Sequence, residues 1–329
     1  MNTGGWRLAA GAAILSVCVV APATAQADSA CAWKVQDLPL PQGVTQAEIS
    51  DADPAGGWVV ATARSGGQDA AVVWHDNAVA RSLKLEPGDS ITTGVNRLGT
   101  ALEYSYDKKS SYAHFANGDK AELPARVGDT ESFAVGINAA GDIVGHAVGP
   151  NGRHVVVWPA ATPGLVSVVA ETDNGNSWLP IDIDDEGRIL AQETKSPARG
   201  GYVFDSAGHG TRLEPLPGHT WVRPVAFRGG RIVGYSAAGF DGPETVVAWG
   251  LDGRVVRKFD DLALVRDVNA SGHVLGSGTD YSTNLVVGPS GRQEVPIIGA
   301  SELTDSGDLY GVRWDDKAVA YVPTHVVCG

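Results

Sequence analysis

Phe133-Ala134-Val135-Gly136-Ile137-Asn138-Ala139-Ala140-Gly141-Asp142-Ile143-Val144-Gly145 reads as an apolar run, a tight Asn-x-x-Gly turn and a second alternating run. Asn and Gly tolerate the left-handed dihedrals that close a hairpin, so the stretch predicts two antiparallel strands. Its outline recurs along the chain. Copies begin at Asp53, Val95, Ile183, Val268 and Leu303, and Arg228-Gly229-Gly230-Arg231 is a further copy without its Asn. The anchor glycines are 56, 99, 141, 187, 230, 272 and 307, at spacings of 43, 42, 46, 43, 42 and 35. A third strand ends in an aromatic about 17 residues after the glycine, as in Val155-Val156-Val157-Trp158. Trp74, Phe115, Phe204, Trp249 and Tyr321 are read as its equivalents, and the sixth copy has none. A second turn and a fourth short run complete each copy.

Four short strands per repeat of about 42 residues is the pattern of a β-propeller blade. No segment holds a 3.6-residue period over helical length. An open solenoid is the competing architecture, but seven units without a capping repeat favour a closed ring. The fold class is therefore all-β, a seven-bladed β-propeller of four-stranded blades. The seventh copy is short and supplies three strands, whereas Trp33 to Leu38 resembles a fourth strand. The N-terminal strand is thus expected to complete the last blade. That arrangement sets Cys31 beside Cys328, and an even terminal pair in an oxidising compartment reads as a disulfide.

Composition agrees with this reading. The chain has 329 residues, 43% of them hydrophobic and 19% charged, which excludes wholesale disorder. Its 42 glycines are about twice the usual share but show no Gly-X-Y period, so collagen is excluded. A net charge of −13 with scattered Lys and Arg disfavours a nucleic-acid or polybasic membrane surface. Residues 1–27 read as a signal peptide: Arg7 is the positive region, Leu8 to Ala21 the apolar run, and cleavage follows Ala25 or Ala27. That run is shorter than the roughly 20 residues a membrane span needs. Cleavage removes Arg7 and no acid, moving the net charge to −14, and leaves residues 28–329 as one domain. The expected product is a secreted, extracellular monomer without a membrane span.

The Ala-x-x-Ile-Asn-x-x-Gly-x-Ile-Val-Gly core of Ala134 to Gly145, with Trp158 beyond it, resembles the HAF-type extracellular repeat of bacteria. The likeness covers the mature chain in degenerate form. It implies a secreted, propeller-like protein and carries over no catalytic residues.

Two groups stand out as candidate sites. The residue two before the turn anchor is acidic in four copies, Asp51, Asp182, Asp267 and Glu302, and is read as Val225 in the fifth. Four acids at one position of the first strand form a partial ring at the channel mouth. Such a ring would hold a hard cation, Ca²⁺ for preference, or accept hydrogen bonds from sugar hydroxyls. Alternatively, the carboxylates bond backbone amides of the neighbouring blade. The second group is Trp178, Trp221, Arg223 and Arg266, expected in loops on the face where strand four leads into the next strand one. Aromatic rings beside cations there would suit carbohydrate stacking or a protein contact, the alternative being packing between blades. His146 and His154 sit on successive strands without a third ligand. No nucleophile elbow, zinc-helix motif or phosphate loop occurs. The expected function is non-enzymatic binding of an extracellular glycan or a secreted or cell-surface protein. A propeller lyase or glycoside hydrolase using the clustered acids, or a structural envelope protein, are the alternatives, and no catalytic residue is assigned.

Overall fold

The computed structural model describes residues 31–171, 177–194, 199–289, 291–317 and 320–329; residues 1–27, read as the signal peptide, lie outside them. The described residues form seven four-stranded antiparallel sheets. Their inner strands are Val44–Ala52, Ser90–Val95, Glu131–Ile137, Trp178–Ile183, Trp221–Arg228, Leu262–Val268 and Gly299–Leu303. Each inner strand contacts those on both sides, and Val44–Ala52 also meets Gly299–Leu303. The sheets therefore close into a seven-bladed β-propeller, numbered here as blades one to seven from Val44. Trp33–Asp37 is the outer strand of blade seven, with Trp33 opposite Cys328. The Cys31–Cys328 disulfide joins Cα atoms 5.4 Å apart at that seam. Among the described residues no helix is long and apolar enough to cross a membrane.

The repeat motif has a physical reason at each position. The anchor Asn accepts backbone N–H groups of its own turn, as Asn138 Oδ1 does from Ala140 and Asp142. Its amide then donates to the anchor carbonyl of the next blade: Asn96 to Asn138 at 3.0 Å, Asn138 to Asp184 at 3.1 Å and Asn269 to Thr304 at 3.1 Å. The amide serves both ends, whereas the carboxylate of an anchor Asp cannot donate. The aromatic at the end of strand three clamps the other side. Trp74, Trp158 and Trp249 donate their indole N–H to Pro39, Pro124 and Glu214 at 2.7, 2.8 and 2.7 Å. Each acceptor lies on the segment leaving the preceding blade.

Each inner strand carries a β-bulge shortly before its turn, for example between Ala134 and Gly136 and between Val265 and Asp267. The last Gly of the motif answers this bulge. A Cβ at Gly145, Gly234 or Gly276 would run into the carbonyl oxygen of Phe133, Arg223 or Leu264.

Three expectations need correction. In blade two the clamp position is His114, opposite Ala101; Phe115 lies one residue further on and is 40% exposed. His114 is bound instead to buried Glu103 at 2.6 Å, which Lys120 also approaches at 3.0 Å, so an ion network replaces the indole. In blade seven the position is Val326, opposite Leu309, whereas Tyr321 pairs with Trp314 nearer the other end of the hairpin. In blade five the acid column continues at Ala226, opposite Val233, and not at Val225. The Gly229-Gly230 turn, with φ of 54° and 74°, makes that hairpin a residue shorter than the Asn-containing ones.

The disulfide encloses almost the whole chain, so replacing both cysteines with serine should lower stability by about 5 kcal/mol in the chain-entropy description. Urea unfolding checks this. An unchanged midpoint would mean that strand pairing alone holds the seam.

Candidate functional site

The four acids converge on the channel, but at its hairpin end. Asp51, Asp182, Asp267 and Glu302 each stand one residue before the end of an inner strand. They lie just before the inner hairpins, opposite the face where strand four leads into the next blade. The bulge residues Ser50, Thr93, Val135, Ile181, Val225, Arg266 and Ser301 line the same cavity, which has a volume of about 470 Å³.

Two of the carboxylates bridge blades. Asp51 accepts the N–H of Ala52 at 2.9 Å and of Val95, in blade two, at 2.7 Å. Asp267 accepts the N–H of Val268 and of Leu303, in blade seven, at 2.7 Å each. Asp182 accepts the N–H of Ile183 at 2.7 Å. Glycine makes room for it: a Cβ on Gly136 would lie 2.8 Å from Asp182 Oδ1. The backbone-bridging role is thus seen for Asp51 and Asp267, and a cavity faces the ring as well.

Arg228 is the residue that sequence reasoning missed. It takes the anchor place in blade five, where the other blades carry Asp53, Asn96, Asn138, Asp184, Asn269 and Thr304. The tight Gly229-Gly230 turn leaves no side-chain cap to make, and the guanidinium enters the cavity. Burial alone would lower its pKa, yet Asp267, Asp182, Asp51 and Glu302 together hold it above the ordinary arginine value. Its Nε is enclosed without a hydrogen-bond partner, as is Thr93 Oγ1 on the same cavity wall. The available signal was the missing Asn of the fifth copy.

Burial pushes Asp51 up to about 7 and Asp182 up to about 6, with Arg228 opposing the rise in both. Asp267 is raised by burial against the pull of Arg228. Glu302 is raised well above the ordinary value, by burial and then by the charges of Asp267 and Asp51. Among the described residues no three His, Cys, Asp or Glu side chains gather as a metal site. The residues do not fit the expected Ca²⁺, and the positive charge among these acids is the guanidinium.

The second group does not form a loop surface. Trp178 begins an inner strand, packs edge-on against Tyr202 and Phe204 at 5.1 and 5.2 Å, and donates to the Glu171 carbonyl. Trp221 is buried at 4% exposure. Arg223 lies 4.1 Å from the Tyr235 ring centroid and 5.8 Å from that of Trp221, and pairs with both carboxylate oxygens of Glu244. Arg266 lines the cavity but directs Nη1 to Asn284 at 2.8 Å. These side chains are spent on packing and pairing within the ring. His154 is likewise bound to Asp129 at 3.1 Å, and His146 stacks on Phe133, its pKa lowered by burial to about 4.

No family model and no curated protein matches the chain. Solved structures match it in fold. A catalytically inactive His-to-Ala variant of virginiamycin B lyase from Staphylococcus aureus, with quinupristin, aligns at 12% identity and a TM-score of 0.58, over 90% of this chain and 99% of that one. A streptogramin B lyase aligns at 11% identity and 0.59, over 90% and 98%. The β-propeller domain of the Trilobed protease from Pyrococcus furiosus aligns at 12% and 0.57, over 86% and 94%, and is described as having an open velcro topology. In the present chain the seam is closed by Trp33–Asp37.

The raised acids set the pH dependence of stability. The folded chain keeps protons that the unfolded chain releases above pH of about 4, so stability falls as pH rises from there towards 7 and levels off beyond. Arg228 limits the fall. Arg228→Gln should therefore cost about 3 kcal/mol near pH 8, where Asp51 and Asp182 are charged, and far less near pH 4.5, where both are protonated. Thermal melts at the two values check this; equal loss at both would remove the charge-compensating role.

Proposed function

We propose that this chain is a secreted, non-enzymatic propeller module that binds an extracellular glycan at the hairpin end of its channel. The observation that supports this most directly is the environment of Arg228. An enclosed N–H donor without a partner stands among carboxylate acceptors, beside an enclosed hydroxyl that also lacks one. A sugar hydroxyl accepts from the guanidinium while donating to a carboxylate, so adjacent hydroxyls of one ring answer both needs. The volume of about 470 Å³ falls within the ordinary range of small-ligand sites. The export segment, the resemblance to HAF-type repeats and the terminal disulfide all accord with an extracellular setting.

An enzymatic reading would use the raised carboxylates as acid and base on a glycosidic bond. The lyase among the structural neighbours is inactive as a His-to-Ala variant. Among the described residues no histidine lines the present cavity, so an enzymatic reading there would rest on the carboxylates alone.

A glycan array followed by calorimetry tests the proposal. The expected result is saccharide binding without product release, weakened at least tenfold, about 1.4 kcal/mol, by Arg228→Gln under conditions where the variant is folded. Release of a cleaved sugar would refute the binding-module reading.

A further inference from the structure

We infer that the glycan taken by this cavity is an amino-sugar chain carrying free ammonium groups. The inference rests on the glycan reading above and names its substrate class. Nine carboxylates line the cavity among the described residues, against two guanidinium groups. Arg188 pairs with two of these acids, Asp184 and Glu186, at 2.7 Å each. Arg266 is turned to Asn284. Arg228 is therefore the one lining cation directed at the remaining carboxylates, and the cavity keeps a negative excess on its hairpin carboxylates even where the raised ring acids hold protons. An anionic glycan would be repelled, and a neutral one would leave that excess uncompensated.

The carboxylates stand in two tiers. The inner tier is the ring before the turns, represented by Asp182 and Asp267. The outer tier sits on the hairpins themselves, where Asp185 and Asp305 are oriented by backbone N–H groups of the preceding blade, Ala139 and Ala270, at 2.8 Å each. Among the described residues no three acids gather as a site for a point ion. A chain with one ammonium per sugar ring presents positive charge at successive depths and meets both tiers.

Arg228 and Thr93 decide between a sugar and a simple polyamine. The Arg228 guanidinium on the cavity wall offers donors only. A protonated polyamine has donors only, whereas an amino sugar adds hydroxyl and ring oxygens that accept. Thr93 Oγ1 can accept from an ammonium or a hydroxyl. The donor and acceptor inventory of the wall thus matches the mixed inventory of a glucosamine-type ring.

The test is calorimetric titration of the full mature protein near pH 6, where such amines are charged, with three probes. They are a fully de-N-acetylated β-1,4-glucosamine tetramer, its N-acetylated counterpart and spermidine. The expected result is at least tenfold tighter binding of the de-N-acetylated tetramer than of either other probe, the advantage shrinking in about 0.5 M NaCl. The rim variant Asp185→Asn/Asp305→Asn should erode that preference while leaving the melting temperature nearly unchanged. Equal binding of the two tetramers would overturn the ammonium inference and leave the glycan reading standing. Spermidine binding as tightly as the tetramer would show charge alone to be recognised and overturn it as well. Absence of binding by any saccharide, on the array or in titration, would remove the glycan reading on which the inference rests.

Discussion

A side-chain amide that caps its own turn and then reaches the next blade is the interaction on which the ring depends. Asn96, Asn138 and Asn269 each satisfy their hairpin with one end and donate across the interface with the other. The clamp tryptophans do the same on the opposite flank, bonding the segment that leaves the preceding blade. A single four-stranded blade cannot bury both faces, so each repeat is stable only against its neighbours. These two contacts fix the angle and register at which that burial occurs. Closure then requires that the first and last blades meet, which the pairing of Trp33–Asp37 and the disulfide accomplish.

The site arises where this scheme is relaxed. Blade five has a Gly-Gly turn that needs no cap, so its anchor residue is released from structural duty. That residue is Arg228, and the cavity wall receives a cation in place of an amide. Glycine at positions 94 and 136 leaves open the space that acids occupy in the neighbouring blades, and Asp182 reaches into the gap at Gly136. The bulges turn one residue per blade towards the axis. The pocket is thus built from departures in a repeated frame whose other copies keep it rigid.

The hairpins and the seven units were legible because each follows from local spacing, and the terminal seam and cysteine pairing because the last copy lacks a strand that the N-terminus supplies. The Asn-x-x-Gly turn dictates a hairpin wherever it stands, and its recurrence counts the blades. The misassigned positions share one cause. Phe115, Tyr321 and Val225 were placed by counting from the turn glycine, but hairpin lengths vary by a residue or more between blades, and register follows the pairing partner. The acid column was legible by period, and its place two residues before the turn anchor already set it beside the hairpins; what was not legible is the arginine it surrounds, which the shorter fifth hairpin supplies. Trp178 and Trp221 read as ligand-facing from residue type, yet the packing that takes them up comes from other strands of their blades, Tyr202 and Phe204 for Trp178 and the strand of Ala237 for Trp221.

The sequence by itself determined the repeat and the blade count, because these rest on turn chemistry and hydrophobic alternation within about 42 residues, and it pointed to the seam through a last copy one strand short and a matching N-terminal strand. Only the tertiary structure decided that acids from blades one, four, six and seven surround an arginine from blade five. The physical reason is closure: charges distant along the chain become neighbours once the inner strands share an axis. There low-dielectric walls raise carboxylate pKa values and strengthen each charge's effect on the others.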